Sequence, residues 1–522
     1  MNKFKEKIKR EFKYLSTETN FFYSRVYTVL IAVFVYVIWL TNTSPYGILA
    51  LGILIGVLMC ICRDLTPIVP PIFLFVQMIR KTEEAFDGFY MYLYIATLAV
   101  ILVGAIIHII KYRPFHNYGH LKGFTVATIF LGLAISLGGL DYSFNRYWLY
   151  QLVCIGYGIF IILFAIFCIK TLGRDSNRRL TQTVTWAIFM SVCIAMLQII
   201  TLIIQSDDPI GMIASKYELE AGYANANYLG NIIARGIPIF IYFSTREKRG
   251  NYWWLLGAYA CGLFIVITSC RSALLFGGLM GVVSLIYFGK NKNPNKKAWI
   301  SVIIFLIGIT MVLAGIFYSK FTRVFAQLSG VGLDDNGRFE LWTLGLQRFA
   351  KHWIFGNGFD FDIGNFVSSY RVTNSWTPFW YHNTVIQVLT CLGTVGFVAF
   401  AFWIFRQYQA FAAIKDHPLI KSVFFVLILI QAISLLDVHF FTPQEMLQMI
   451  IITMVAIKSL PKDKYDAGVY TIINKVKEKK IKKKNELAKD ESNIDDTTQQ
   501  IIDSNQTKTQ IKSILDKNEE DK

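Results

Sequence analysis

Phe89-Tyr-Met-Tyr-Leu-Tyr-Ile-Ala-Thr-Leu-Ala-Val-Ile-Leu-Val-Gly-Ala-Ile-Ile-His-Ile-Ile110 runs for 22 residues without an Asp, Glu, Lys or Arg. As an α-helix it rises roughly 33 Å, enough to cross the hydrocarbon core of a bilayer. It is apolar around its whole circumference, which belongs in lipid rather than on the face of a soluble domain. Comparable blocks flank it at 25–41, 47–62, 65–79, 122–140, 147–169, 183–205, 228–244, 253–269, 273–289, 299–318, 383–405, 419–437 and 442–458. The third block contains Pro67, Pro70 and Pro71, so it reads as a broken span or a re-entrant segment. Hydrophobic residues make up 54% of the chain and the mean hydropathy is +0.45. A soluble multidomain enzyme is excluded. The expected fold is an all-α polytopic membrane protein with about 12–14 transmembrane helices.

The formal charge of +17 is not spread as a nucleic-acid-binding surface would be; it gathers at the ends of the apolar blocks and in the C-terminal tail. Basic connections lie at the N-terminus, at Lys111 to Lys122, Lys170 to Arg179, Arg246 to Arg249, Lys290 to Lys297, Arg406 to Lys421 and after Lys458. With all the blocks counted as spans, every one falls on the same side, which the positive-inside rule makes cytoplasmic. The expected organisation is a basic cytoplasmic N-terminus (1–24), helices over 25–318 with an external loop at 206–227, and a large external loop (319–381). Helices over 382–458 and a cytoplasmic Lys-rich tail (459–522) complete it. The first block reads as an uncleaved anchor rather than a leader. The tail, with its Lys-rich run at 475–484, reads as solvated and partly disordered, with anionic lipid as the alternative partner for its lysines. The eight cysteines are scattered, nearly all within apolar blocks, and lack the clustered ligands of a metal site. No internal repeat is visible.

Several polar residues stand where a bilayer tolerates them poorly. Asn227, Asn231 and Arg235 share one helical face at i, i+4, i+8. An intramembrane arginine marks either the wall of a site or a pairing with backbone, and the spacing leaves both open. Thr268-Ser269-Cys270-Arg271-Ser272-Ala273 joins two blocks at the outer boundary, where a planar guanidinium can grip phosphate oxygens or simply anchor a helix. In the large loop, Gly337-Arg338-Phe339-Glu340-Leu341-Trp342 opens a stretch in which Trp342, Leu346 and Phe349 recur at helical spacing. This predicts an amphipathic surface helix. It ends at Phe355-Gly356-Asn357-Gly358-Phe359, a glycine-permitted turn. The loop closes at Trp380-Tyr381-His382-Asn383-Thr384, placing His382 at the N-terminus of a span. A neutral imidazole there can act as a general base, and Asn383 can cap the helix or orient the ring. The plain alternative is that both residues only cap the helix.

Taken in order, Ser-Cys-Arg-Ser (269–272), Gly-Arg-Phe-Glu-Leu-Trp (337–342), Phe-Gly-Asn-Gly-Phe (355–359) and His-Asn followed by Gly-x-x-Gly (382–396) resemble the O-antigen ligase and Wzy-type polysaccharide polymerase superfamily. The resemblance covers roughly residues 220 to 400. It implies a GT-C-like, metal-independent, inverting glycosyltransferase without cofactor, acting on the outer face of the cell membrane to build a surface polysaccharide such as a capsule or exopolysaccharide. The donor would be an undecaprenyl-diphosphate-linked glycan. Membrane lipids and envelope-assembly proteins would be its other partners, with no nucleic acid. It further implies His382 as the base and Arg271 and Arg338 as the diphosphate clamp, with Arg235 as a further clamp residue and Asn383 and Asn231 in support. Cys270 departs from the pattern, which has serine before the first arginine. A ligase that uses a different acceptor is the close alternative. A transporter or flippase of lipid-linked glycans is the rival class; it would show repeats and short external loops.

Overall fold

The computed structural model describes residues 21–80, 88–114, 122–140, 148–214, 219, 226–246, 250–290, 296–316, 318, 337–359, 380–414, 417–437 and 440–460, with positions 505, 507, 508 and 510 of the tail. The expected N-terminal and tail regions therefore lie largely outside the described residues, as does much of the large loop. The helices are α1 (Arg25–Leu40), α2 (Ser44–Ile61), α3 (Val69–Leu74), α4 (Gly88–Tyr112), α5 (Lys122–Leu137), α6 (Trp148–Thr171) and α7 (Asn177–Gln205). They continue with α8 (Pro209–Ala214), α9 (Ala226–Ala234), α10 (Gly236–Ser244), α11 (Trp254–Thr268), α12 (Arg271–Gly289) and α13 (Lys296–Ile316). The last are α14 (Arg338–Lys351), α15 (Thr384–Ala412), α16 (Pro418–Ile433) and α17 (Pro443–Ser459). Among the described residues there is no strand.

The all-α polytopic class holds. Among the described residues, eight helices are long and apolar enough to cross a membrane, and four apolar helices are shorter. Six of the expected blocks fall outside the eight: α1, α5, α16 and α17 are only 16 or 17 residues long, and two blocks are broken. The block with three prolines forms 3-10 turns on either side of the six-residue α3. It is buried by neighbouring helices, which is where irregular backbone is tolerated at membrane depth. The block at 228–244 is two helices meeting at Arg235. Pro238 explains the break: it has no N–H to give the carbonyl of Ala234, and its ring crowds that carbonyl. The final block, α17, is buried on nearly every side from Gln444 to Ile457 and forms an inner helix of the bundle. By contrast α4 and α13 turn large apolar side chains such as Leu98, Leu102, Ile304 and Met311 outward, as lipid-facing helices do.

Local polar groups lock the ends of these elements. Ser24 caps α1 by accepting from the Tyr27 N–H, and Ser176 caps α7 through the Arg179 N–H. Buried Asp64 accepts from the backbone N–H groups of Thr66, Gly173 and Asp175 at 2.9–3.0 Å, fastening the α2–α3 connection to the α6–α7 turn.

The sharpest irregularity is in α15, whose two segments meet at Gly393 with φ 65° and ψ −164°. Two helical bonds are lost there, and the Trp353–Gly358 segment replaces them. Thr394 N–H donates to the Trp353 carbonyl and Val395 N–H to that of Ile354, while Asn357 and Gly358 N–H groups donate to the freed carbonyls of Thr390 and Cys391, at 2.8–3.2 Å. Each backbone group severed by the kink thus regains a partner, as a membrane interior requires. The turn glycines follow from this approach: Gly356 has φ 71°, and a Cβ there would lie 2.5 Å from the Cys391 carbonyl carbon.

Candidate active site

Asn383 is the N-cap of α15, its Oδ1 accepting from the N–H groups of Val385 at 2.9 Å and Ile386 at 3.1 Å. Thr384 N–H donates to the Ser434 carbonyl at 2.9 Å, and the two hydroxyls are hydrogen-bonded. On the other side, fully buried Tyr381 donates its N–H to Gln387 Oε1 at 2.9 Å and accepts on its carbonyl from Trp342 Nε1 at 2.9 Å. His382 is held between these fixed neighbours in the left-handed region, with φ 49°, a conformation uncommon for a non-glycine residue. Its Nδ1 lies 3.2 Å from Asp437 Oδ1, and the ring is 28% exposed. An ionised carboxylate only accepts, so in the neutral imidazole this bond selects the tautomer with its proton on Nδ1 and its lone pair on Nε2. Asn383 therefore caps the helix while Asp437 orients the ring.

The loop helix α14 begins at Arg338, after Gly337 with φ 72°. Its buried face is Leu341 and Gly345, with the Gly345 carbonyl accepting from the Thr390 hydroxyl at 3.0 Å. Beside this face runs the expected Trp342–Leu346–Phe349 stripe, whose Trp342 bonds to the Tyr381 carbonyl while Leu346 is exposed. Docking on α15 rather than on lipid alone selects the face with the small residue, because Gly345 lets the two helices approach. Arg338 precedes Trp342 by one helical turn and shares its side of the helix.

Arg271 is the first residue of α12, after Ser269 closes α11 with φ 51°. The intervening Cys270 Sγ lies 3.3 Å from both the Asn227 carbonyl and Asn231 Oδ1, and Ser272 Oγ is 3.4 Å from the same Oδ1. Fully buried Asn231 thus supports the turn that presents Arg271. Cys270 occupies a hydroxyl's place in the bonding pattern, which is why the departure from serine is accommodated. Arg235 sits at the α9–α10 break, buried. Its Nη2 is 2.7 Å from Glu445 Oε1 and its Nη1 is 2.7 Å from Gln448 Oε1.

These bonds form three groups. His382 and Asn383 lie with Asp437 and the α14 anchor; Arg271 lies with Asn231; Arg235 lies with Glu445 and Gln448. The sequence reading missed Asp437, Glu445 and Gln448. Asp437 has no signal in one sequence beyond closing the apolar block 419–437, two residues before His439. Glu445 was detectable, since it is an acid inside an apolar block, by the same physical rule that singled out Arg235.

A mainly apolar cavity of about 290 Å³ adjoins the Thr384–Ser434 pair and is lined also by Val385, Phe400, Tyr408 and Met449.

Residues 256–401 match the family model described as O-antigen ligase. No curated protein matches the chain at a significant level. The matched segment runs from α11 into α15 and contains Arg271, Arg338 and His382, so the resemblance read from the motifs is borne out there. It supports glycosyl transfer of the O-antigen ligase or polymerase type, in a multi-pass membrane protein, with a lipid-linked glycan as the general kind of substrate.

Proposed function

We propose that this chain, with its O-antigen ligase segment, transfers a glycan from a polyprenyl-diphosphate carrier to an acceptor hydroxyl at the outer face of the membrane, as a Wzy-type polymerase extending a surface polysaccharide. The observation that carries the reading is the His382–Asp437 pair at 3.2 Å, at a helix N-terminus bordering the large loop; His382 lies within the family segment, which also contains Arg271 and Arg338, and Asp437 reaches it from outside that segment. The acceptor oxygen attacks the anomeric carbon as its proton passes to His382 Nε2; the bond from that carbon to the diphosphate oxygen breaks, and the configuration inverts. Asp437 stabilises the imidazolium that forms. Arg271 and Arg338 take the charge that develops on the departing diphosphate, so no metal is needed. The apolar cavity beside Thr384 suits the first isoprene units of the carrier. Basic connections on the opposite side support an orientation with both termini in the cytoplasm.

The test is reconstitution in proteoliposomes with a lipid-diphosphate repeat unit and a chelator. A ladder of longer lipid-linked glycans is expected. Transfer only to a second added acceptor would instead establish the ligase, which uses the same base and clamp. Translocation of the lipid-linked unit without any glycosidic bond formed would overturn both in favour of a flippase.

A further inference from the structure

A second polar cluster, away from His382, is buried inside the bundle. Glu445, in the first turn of α17, is fully buried. One of its oxygens accepts from Arg235 Nη2 at 2.7 Å and from the Tyr228 hydroxyl at 2.5 Å. Arg235 Nη1 donates to Gln448 at 2.7 Å. The amides of Gln444 and Gln448 donate to the Phe73 carbonyl, both at 3.3 Å. The start of α17 is thereby tied to α9, to the α9–α10 break and to α3.

The placement of this cluster matters more than its existence. Glu445 follows Asp437 by eight residues, and between them Phe440 and Phe441 are packed into the interior. On the opposite side, Tyr228 is on α9 with Asn227 and Asn231, the acceptors for the turn that presents Arg271. Glu445 thus binds, through Tyr228 and Arg235, the same helix α9 whose Asn227 and Asn231 hold the turn carrying Arg271, while its own helix follows the segment carrying Asp437. Both terminal nitrogens of Arg235 face protein acceptors, and its charge is balanced by a carboxylate at ion-pair distance.

We propose that Glu445 is a positioning residue: through Tyr228 and Arg235 it sets the separation between the Arg271 turn and the His382–Asp437 pair, and Arg235 serves this tether rather than the donor diphosphate. This rests on the glycosyl-transfer reading, in which Arg271 meets the leaving group and His382 the acceptor. Removing one member leaves a buried charge without its counterion, whereas replacing both with apolar residues of similar size removes that penalty. The pair can therefore be separated from a ligand role.

The experiment compares Arg235→Met, Glu445→Leu, the double Arg235→Met/Glu445→Leu and Tyr228→Phe in the full chain, reading thermal unfolding midpoints and transfer kinetics with a lipid-diphosphate repeat unit. Each single charge removal lowers the midpoint, and the double variant recovers most of that loss. The double variant keeps the donor KM within about threefold and loses about tenfold in kcat, while Tyr228→Phe loses about threefold in kcat with KM unchanged. A donor KM raised about tenfold in the folded double variant would mean that Arg235 meets the donor. A wild-type kcat in the double variant would reduce the pair to a stability element, and additive midpoints would overturn the tether. If the wild-type protein forms no glycosidic bond, the parent reading fails, while the midpoints still report on the tether.

Discussion

At the scale of single residues, the chemistry rests on side chains whose surroundings leave them one task each. His382 has a carboxylate on Nδ1, capped and anchored neighbours on both sides, and a backbone conformation that only a well-determined setting sustains. His382→Ala is expected to lower transfer by about 10²–10⁴-fold without unfolding the protein. Transfer within tenfold of wild type in a folded variant would remove the general base from the mechanism. Asp437→Asn is expected to cost roughly 10²-fold or more, because an amide donating to Nδ1 moves the ring proton to Nε2 and removes the lone pair. The same assay, with folding checked by the unfolding midpoint, decides it. Cys270→Ser is expected to stay within about twofold of wild-type activity, since a hydroxyl can reach the same acceptors on Asn227 and Asn231. His382 was legible as a candidate because it stands at the start of an apolar block. Asp437 was not, because a pairing across 55 residues leaves no local pattern.

At the scale of elements, the breaks in the helices are the points at which other segments are bound into the bundle. The kink in α15 is a fixed joint, because the Trp353–Gly358 segment makes the backbone bonds that the helix gives up. This joint also seats α14, and with it Arg338, against the helix that begins just after His382. Gly393→Ala is expected to destabilise by about 1–3 kcal/mol from its dihedral alone, and a Cβ would also collide with the Ile354 carbonyl. A thermal midpoint equal to wild type would mean that the joint is dispensable. Asn357→Ala, which loses the side-chain bond to the Thr390 carbonyl, is expected to cost roughly 1 kcal/mol in the same measurement. The glycines and the amphipathic helix were visible in the sequence as a turn and a stripe. That the turn mends a broken helix was not, because the exchange involves backbone atoms, which carry no residue signature.

At the scale of the whole molecule, a shell of apolar helices surrounds an inner helix, α17, whose acid and amides bind three other elements. Orientation is tested by a small epitope inserted in the 319–336 segment and another between Lys290 and Lys297. Antibody on intact cells is expected to reach the first only, and the reverse result would place the proposed chemistry in the cytoplasm. Composition and local spacing fix the membrane class, the position of nearly every helix and the four motifs of the family segment. Each of these follows from composition or spacing within a short window, as with the uncharged run from Phe89 to Ile110. Only the tertiary structure decided which apolar block lies innermost, where Arg235 finds its counterion and which acid orients His382. These are pairings between residues 55 to 210 positions apart, and the strong cost of unpaired polar groups inside a bilayer enforces them without regard to sequence distance.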